Sequence, residues 1–237
     1  MKTLSLHQPY FFPYIGYFSI MKHVDIHVYA DSLQYTRHGW MNRNRILSCE
    51  NAPLTITVPL KRAARDTAIN QMEIAYERTW EQDIYNKLLA YKKRAPYYNE
   101  VLDMLDELFA GKYENLAELN IRSNQLVCQR LGIQTPTYRL SELGLAEKEN
   151  MEPDDWGIVV CKQFEGVDTY RNAPLGKTFY NAEKYRANGL NIEFAQNRLR
   201  PYEQGAAEFV PALSILDVMM FNSVDAVNEM LDDYDLL

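Results

Sequence analysis

The first stretch of the chain that could do chemistry joins a histidine to a rigid loop. His7 and Gln8 are followed by Pro9 and Pro13, and Gly16 comes three residues later. The prolines fix the backbone and exclude regular strand pairing, whereas a glycine lets the backbone approach a ligand closely. A histidine held there is suited to carry a proton or to donate a hydrogen bond to an anionic transition state. The alternative is a buried histidine that is hydrogen-bonded within an aromatic core.

A second group of polar residues alternates between asparagine and arginine. In an extended segment, Arg43 and Arg45 point to one side, and Asn42 and Asn44 point to the other. Two parallel guanidinium groups can hold a diphosphate, and the planar ring of Trp40 lies close by in the sequence. An edge strand that carries ordinary surface arginines explains the same pattern, so that the spacing leaves both interpretations open.

The basic residues are concentrated early in an acidic chain. The formal net charge is -7, yet residues 31–65 hold six basic and two acidic side chains, and no Lys or Arg follows Arg200. A local positive region on an acidic protein is typical of a site for a small anion, such as a nucleotide or a nucleotide-sugar, rather than of a surface that binds nucleic acid. The alternative is that these basic side chains pair with the acidic C-terminal residues.

The composition excludes several classes of protein. With 237 residues, 47% of them apolar, the chain can bury a sizeable core, which argues against intrinsic disorder. Its three cysteines form no CxxC pair and its four histidines no HExxH motif, so that we predict neither a disulfide framework nor a metal site. No tightly bound cofactor is implied, although a divalent ion could accompany a nucleotide substrate. Because no run of eighteen apolar residues occurs, we expect a cytoplasmic protein without a membrane span.

Chemistry-bearing residues stand at the ends of predicted strands. The first 61 residues contain a helical segment, 15–22, and three segments that alternate as β-strands do: 3–7, 25–30 and 54–60. Two strands joined by a helix form a βαβ unit, whose ligand commonly sits beyond the carboxyl ends of the strands. His7, Asp31 and Lys61 occupy those ends. A carboxylate such as Asp31 can act there as a base, bind a ribose or an amine, or cap a turn.

Helical periodicity replaces strand alternation over residues 79–132, where three helices are predicted. The rest of the chain returns to mixed character, with an ambiguous segment at 157–161. We therefore expect an α/β fold: a mostly parallel Rossmann-like sheet with about three helices inserted, divided into regions 1–78, 79–132 and 133–237. The inserted helices could form a lid or the surface of a homodimer. Asp217, on an apolar helix, is expected to face solvent; if buried, it needs a partner such as Arg43 or Arg45.

Several separated blocks of the chain resemble the WbqC-like protein family. The blocks are HQPYFFPYIGYF, IHVYADSLQYTRHGWMNRNRI, LTITVPLK, YKKRAPYYNEV and FVPALSILDVMMFN, which together extend over nearly the whole sequence. The resemblance places the family's signature on the following positions: His7, Gln8, Pro9, Pro13, Gly16, Tyr17, Asp31, Gln34, Gly39, Asn42, Arg43, Asn44, Arg45 and Lys61. The segment 170–177 reads YRNAPLGK, where relatives tend to be rich in glycine, so that a substrate contact assigned there is in doubt.

The resemblance implies a bacterial transferase of surface-polysaccharide or O-antigen biosynthesis, which moves a small group, such as a glycyl or acyl group, to or from an activated sugar. The residues fall into catalytic and substrate-binding groups. His7 and Asp31 are the catalytic residues: His7 is the general base or the transition-state donor, and Asp31 orients the acceptor together with Gln34. Arg43, Arg45 and Lys61 bind phosphates, Gln8, Asn42 and Asn44 bind the substrate, and Trp40 or Tyr17 forms an apolar wall.

Two other functions remain open at this point. A strand that ends in a histidine loop, a helix and a second strand that ends in Asp is also the layout of HxGH-type nucleotidyltransferases, which use a nucleoside triphosphate. The tight HxGH tetrapeptide is missing here, because His7 stands nine residues before Gly16. The analogy therefore holds only at the level of the fold. The third reading is a non-catalytic protein that binds a nucleotide or a sugar.

Overall fold

A mostly parallel six-stranded sheet forms the centre of the computed structural model, which describes residues 1–77, 79–145, 151–205 and 208–237. The strands are β1 (Lys2–His7), β2 (Ile26–Tyr29), β3 (Arg43–Leu47), β4 (Pro53–Thr57), β5 (Thr137–Arg139), β6 (Val167–Asn172), β7 (Asn191–Asn197) and β8 (Tyr234–Leu236). The sheet has the order β5-β2-β1-β6-β7-β8, and only β8 runs antiparallel to its neighbour. This arrangement confirms the predicted Rossmann-like α/β fold.

Eight α-helices accompany the strands in the described residues, and they include the helical segment predicted at 15–22 and the three helices predicted within 79–132. They are α1 (Ile15–Lys22), α2 (Trp80–Leu88), α3 (Tyr98–Phe109), α4 (Leu116–Leu131), α5 (Asp155–Cys161), α6 (Ala182–Ala187), α7 (Ile215–Phe221) and α8 (Val224–Leu231). The Asn115 side chain accepts a hydrogen bond from the backbone N–H of Glu118, and Gly132 ends α4 with a φ of 71°. Both caps agree with the sequence pattern.

The two sides of β1 and β2 meet different surroundings. Leu4 and Leu6 of β1 pack into an apolar cluster together with Val28 of β2. Because side chains alternate along a strand, Ser5 and His27 lie on the other side, towards α1 and α4. One side of this sheet is therefore an ordinary apolar core, and the other carries polar groups into the interior.

The predicted strand 54–60 does not belong to the parallel sheet. β3 and β4 form a separate antiparallel hairpin, in which Arg43 pairs with Thr57 and Arg45 with Thr55. Only residues 48–52 connect the two strands, which is too short for the crossover that parallel strands require. Lys61 consequently follows a hairpin strand by four residues, and its predicted place at the carboxyl edge of the parallel sheet is wrong.

The packing settles one segment that the sequence left open and corrects one expectation. The ambiguous segment 157–161 is helical, as part of α5, and Gly157 allows its backbone to approach the ring of Tyr170 and the hydroxyl of Tyr185. Asp217 is completely buried rather than facing solvent, and its hydrogen-bond partners are Tyr91, Tyr202 and Gln204 rather than arginines. A buried carboxylate has to be hydrogen-bonded, and hydroxyl groups meet that need here.

Among the described residues, no helix is both long enough and apolar enough to cross a membrane.

Candidate functional site

Strand order brings polar residues together at one edge of the sheet. His7 ends β1, and Asn172 ends the adjacent parallel strand β6. From β1 the chain proceeds to β2 and β5 on one side and later crosses to β6 on the other. The crevice between β1 and β6 is thus the point at which the strand order reverses, where open α/β sheets commonly bind their ligands.

Asn172 fixes the proton on the His7 ring. The Oδ1 atom of Asn172 lies 3.2 Å from His7 Nε2. The Nδ2 group of Asn172 donates to the hydroxyl oxygens of Tyr170, at 2.7 Å, and Tyr180, at 2.9 Å, and Oδ1 accepts from the backbone N–H of Ala173 at 2.6 Å, so that Oδ1 is the atom that faces His7. An amide oxygen can only accept, and His7 Nε2 therefore carries the hydrogen.

The other nitrogen of His7 has no polar contact. His7 Nδ1 is buried and has no hydrogen-bond partner among the described residues. Burial lowers the pKa of His7 to about 4, with the Asn172 hydrogen bond opposing that change. At neutral pH His7 is therefore an uncharged imidazole that donates through Nε2 and keeps its lone pair on Nδ1.

A polar layer lies behind His7, between the sheet and α4. The His27 ring stacks on that of His7, with the ring centroids 5.9 Å apart, and Tyr17 of α1 packs against both rings. Tyr29 follows on the same side of β2, where its hydroxyl faces Asn124 of α4. Buried polar atoms without a partner occur throughout this layer, among the described residues: His7 Nδ1, His27 Nε2, Tyr29 Oη and both amide atoms of Asn124.

Buried side chains hold the loop that follows His7. Asn44 Nδ2 donates to the carbonyl oxygens of Phe11 and Phe12, the latter at 2.6 Å. Asn120 Nδ2 donates to the carbonyl oxygens of Pro9 and Met41, each at 2.8 Å. A loop without strand pairing needs such donors for its buried carbonyl groups. The predicted binding residue Asn44 is thus occupied with the loop.

Two further side chains donate hydrogen bonds to carbonyl groups of the loop. Tyr17 donates through its hydroxyl to the carbonyl oxygen of Gln8 at 3.1 Å, and Ser214 Oγ donates to the carbonyl oxygen of Phe12 at 2.8 Å. The Gln8 side chain accepts a long hydrogen bond, 3.4 Å, from the hydroxyl of Tyr10. Tyr17 therefore combines a wall against His7 with support for the loop.

Asp31 lies at the same edge as His7 but is turned towards β5. Its carboxylate accepts hydrogen bonds from the backbone N–H and the hydroxyl of Ser141, at 3.0 and 2.6 Å. Asp31 is buried, and this pairing ties the end of β2 to the segment after β5. Gln34 is exposed and donates through Nε2 to the carbonyl oxygen of Arg65 at 2.7 Å.

A basic cleft of about 420 Å³ lies beside the loop. Its lining residues are Tyr35, Arg37, Asn42, Leu60, Lys61, Arg62, Ala63 and Met72. Asn42 donates to the carbonyl oxygen of Val58 and accepts from the hydroxyl of Tyr35, while the preceding carbonyl group, of Met41, accepts from the backbone N–H of Phe11. The cleft is thus joined to the loop that carries His7. Its volume is that of a small-molecule site.

The hairpin arginines lie on a different surface from this cleft. Asn44 points inwards, so that Arg43 and Arg45 point away on the opposite side of β3, as predicted. The Arg45 guanidinium stacks over the half-exposed ring of Trp40 at 5.2 Å from its centroid. Arg43 acts on the cleft only through its charge near Tyr35. The structure therefore does not place Arg43, Arg45 and Lys61 around one cavity.

The acidic C-terminal residues do not neutralise the basic region. Asp232 pairs with Lys22 at 2.6 Å, and Asp233 pairs with Arg198 at 2.8 Å. Within the described ranges, Lys61 is the only basic residue of 31–65 with an acidic partner, Glu73 at 2.7 Å, a contact that raises the pKa of Lys61. Arg37 and Arg62 keep their charge available on the wall of the cleft.

One group of acidic side chains lies close enough to share a cation. Glu152, Asp154 and Asp155 cluster at the start of α5. Lys184 Nζ pairs with all three carboxylates, at 2.9, 2.7 and 2.8 Å. An ammonium group thus already supplies the positive charge at this position, and the cluster does not fit a metal site.

Sequence reasoning missed the residues that fix His7. Asn172 lies 165 positions from His7 in the segment whose sequence departs from the family pattern, and His27 carried no role of its own. One signal was available for His27, because alternation along the strand 25–30 places it on the same side as Tyr29, opposite Ile26 and Val28. No pattern in the sequence identifies Asn172.

Comparison with known proteins gives a family and one uncharacterized relative. A profile of the WbqC-like protein family matches residues 8–229. The chain is 26% identical over 224 residues to the "Uncharacterized protein Rv1507c" of Mycobacterium tuberculosis (strain ATCC 25618 / H37Rv), with 94% of each protein covered. No solved structure matches the chain significantly.

Proposed function

The chain belongs to the WbqC-like protein family, and from this premise we propose that it is a transferase that acts on an activated, anionic small molecule of the nucleotide-sugar class. The observation that carries the proposal is the basic cleft, whose Arg37 and Arg62 lack an acidic partner among the described residues and which adjoins the His7 loop. An uncompensated cationic hollow of this volume suits one or two phosphate groups with an attached sugar.

His7 supports the role of a transition-state donor rather than that of a general base. A base has to offer a lone pair to the substrate, but the His7 lone pair is on Nδ1, which is buried. The Nε2–H group lies instead in the crevice between β1 and β6, held against Asn172. With a pKa of about 4, the ring stays neutral, and a substrate oxygen that gains negative charge can replace the Asn172 oxygen as the acceptor of this hydrogen.

The same property weighs against the nucleotidyltransferase alternative. Loop histidines that steady phosphates benefit from a positive charge, which burial removes from His7 at neutral pH. The finer assignment, transfer of a glycyl or acyl group in surface-polysaccharide assembly, rests on the family resemblance alone. It enters the proposal as the reaction class to be tested first.

Ligand-induced stabilisation distinguishes these functions. The melting temperature is measured with UDP- and dTDP-sugars, and separately with ATP or CTP plus magnesium. A ligand at a hundredfold its dissociation constant adds about 2.7 kcal/mol to the free energy of unfolding. We expect stabilisation by the sugar nucleotides. Stabilisation by the triphosphates alone would instead support the nucleotidyltransferase, and binding without turnover across a broad donor screen would support a non-catalytic protein.

Matched variants locate the site. Arg62→Gln removes an unpaired cation from the cleft, and we expect it to weaken sugar-nucleotide binding about tenfold, or about 1.4 kcal/mol. Arg198→Gln is the control, because Arg198 is paired with Asp233 and lies outside the cleft. Equal binding by wild type and Arg62→Gln would remove the cleft from the proposal.

His7→Asn tests the catalytic role separately. This variant is expected to bind the sugar nucleotide with unchanged affinity and to lose about a hundredfold or more in kcat, the scale of losing one transition-state donor. His23→Gln is the control, since His23 follows the C-terminal end of α1, whereas the His7 loop precedes its N-terminal end, and His23 contacts Asp232. Full turnover by a folded His7→Asn protein would exclude His7 from the chemistry.

A further inference from the structure

Two histidine nitrogens without partners lie on neighbouring rings in the interior. His7 and His27 belong to adjacent parallel strands, and their rings are nearly parallel, with an angle of 21° between planes and 5.9 Å between centroids. His7 Nδ1 and His27 Nε2 are both buried and have no hydrogen-bond partner within the described part of the chain. His27 is completely inaccessible to solvent. Such buried polar atoms usually have a partner, from the protein or from an internal water.

The state of each ring follows from its other nitrogen. On His7, Asn172 requires the hydrogen on Nε2, so that Nδ1 is an acceptor. On His27, Nδ1 lies 2.8 Å from the hydroxyl of Ser5, which is itself completely buried. That hydroxyl has no other acceptor among the described residues, so that its hydrogen points to His27 Nδ1 and the ring hydrogen of His27 is on Nε2.

The two free nitrogens are therefore complementary, one a donor and the other an acceptor. One internal water that accepts from His27 Nε2–H and donates to His7 Nδ1 would satisfy both nitrogens. We propose that His27 is a positioning residue that, through Ser5 on one side and a bridging water on the other, holds His7 as the neutral Nε2–H donor. The inference rests on the donor role assigned to His7 under the proposed function.

Among the residues that the structure describes, no charged group competes with this arrangement. The titratable groups that face the pair are Tyr17 on α1, Tyr29 on β2, Cys128 on α4, and Tyr170 and Tyr180 beside Asn172. Burial raises the pKa of each of these groups, so that all of them are neutral at neutral pH. Hydrogen bonding, and not a nearby charge, then determines the protonation state and the tautomer of His7.

The arrangement has a functional consequence. A donor that faces Nδ1 stabilises the neutral ring, because protonation of Nδ1 would break that hydrogen bond. It also opposes the other tautomer, in which the hydrogen would leave Nε2 and be lost to the substrate. His27 would thus keep the hydrogen on His7 Nε2, although His27 lies in the interior and does not contact the substrate.

The test uses the intact protein and no substrate. The ring nitrogens are labelled with ¹⁵N, the His7 signals are assigned from the spectrum of His7→Asn, and the His7 pKa is measured in three variants. His27→Met removes the Nε2–H donor. Ser5→Ala removes the hydroxyl that donates to His27 Nδ1, so that the ring hydrogen of His27 is no longer held on Nε2. His27→Gln keeps an N–H group near the position of Nε2.

We expect His27→Met to raise the His7 pKa by about one unit, with a smaller rise for Ser5→Ala and no change for His27→Gln. A role of His27 in packing alone predicts the opposite sign, because methionine makes the surroundings of His7 less polar and lowers its pKa further. If His27→Met does not fold, Ser5→Ala carries the test. An unchanged or lowered His7 pKa in the folded donor-deficient variants would overturn the inference.

Kinetics then separates this inference from the function on which it rests. Ser5→Ala and His27→Met are expected to lower kcat by about ten- to a hundredfold, the range for losing a partner that orients a histidine, with KM unchanged and with recovery in His27→Gln. If the pKa pattern appears but no sugar nucleotide binds, the proposed function fails and the positioning role stands. If the protein turns over a sugar nucleotide but the pKa pattern is absent, the positioning role fails and the proposed function stands.

Discussion

Two buried titratable groups of this protein have opposite surroundings. Asp217 accepts hydrogen bonds from Tyr91, Tyr202 and Gln204, at 2.5, 2.6 and 3.2 Å, and both of its oxygens are used. His7 has one partner, Asn172, and a buried nitrogen without any among the described residues. Tyr91 also accepts from the backbone N–H of Leu47, so that the Asp217 cluster ties α7 to the hairpin.

The difference separates a structural role from a functional one. A satisfied buried carboxylate holds elements together, since removing it leaves several buried donors unpaired. A buried histidine that is only partly satisfied holds fewer elements together and keeps bonding capacity for another partner. The four predictions that follow test this contrast, in decreasing order of their expected effect on the free energy of unfolding.

Asp217→Ala is expected to have the largest effect. It leaves two tyrosine hydroxyls and the Gln204 amide without an acceptor, and we expect a loss of about 4 kcal/mol in the free energy of unfolding. The measurement is urea unfolding at pH 7. Tyr202→Phe, which removes only one of the hydrogen bonds, is the matched variant with an expected loss of about 1 kcal/mol. Equal losses in the two variants would contradict a network centred on Asp217.

The titration of His7 should make the free energy of unfolding fall in acid. Its pKa is about 4 in the folded protein, below the ordinary value of 6.5, so that the unfolded chain binds the extra proton first. The stability that His7 contributes is therefore present above pH 6.5 and is lost as the pH falls from 6.5 through 4, by about 3 kcal/mol. His7→Asn should flatten this part of the stability curve. A curve of unchanged slope in that variant would show that other groups cause the loss.

Asp217 should give the opposite pH signature. Burial raises its pKa above 3.8, with the hydroxyl hydrogen bonds opposing that change. Its contribution to stability is thus present at low pH and declines as the pH rises through the folded-state pKa. Comparing Asp217→Asn with wild type over the same range isolates this term from that of His7.

Asn44 tests whether a residue of the family signature has a structural rather than a functional role. Asn44→Ala leaves the Phe11 and Phe12 carbonyls without their amide donor, and the expected loss is about 1 to 2 kcal/mol, with faster hydrogen exchange in residues 9–13. Asn86→Ala, on the exposed side of α2, is the control. Unchanged stability with weaker ligand binding would instead return Asn44 to the substrate site.

Local patterns were sufficient for most of the elements. The alternation in 3–7 and 25–30 and the helical periodicity of 80–131 depend on neighbours a few positions apart, which the sequence displays directly. The sequence did not predict the antiparallel hairpin, because the alternation in 54–60 is the same whether the partner strand is parallel or antiparallel. Only the short connection 48–52 distinguishes the two, and it carries no strong turn motif.

The candidate site was predictable only in part, for a different reason. The sequence placed His7 and Asp31 at strand ends, and the parallel pairing of β1 with β2 puts those ends at one edge. It did not show that Asp31 is turned towards Ser141 or that the hairpin arginines lie apart from the basic cleft. Such facts depend on which side chains meet after the chain has folded.

The sequence by itself determined the order of the elements, the stiffness of the proline loop and the excess of positive charge in residues 31–65. The tertiary structure decided which polar groups were left unsatisfied: it brought Asn172 to one nitrogen of His7 and left the other without a hydrogen-bond partner among the described residues. The physical reason is that a strand pattern is set by adjacent residues, whereas the hydrogen bond between His7 and Asn172 joins two groups that are 165 positions apart and that only the strand order of the sheet unites.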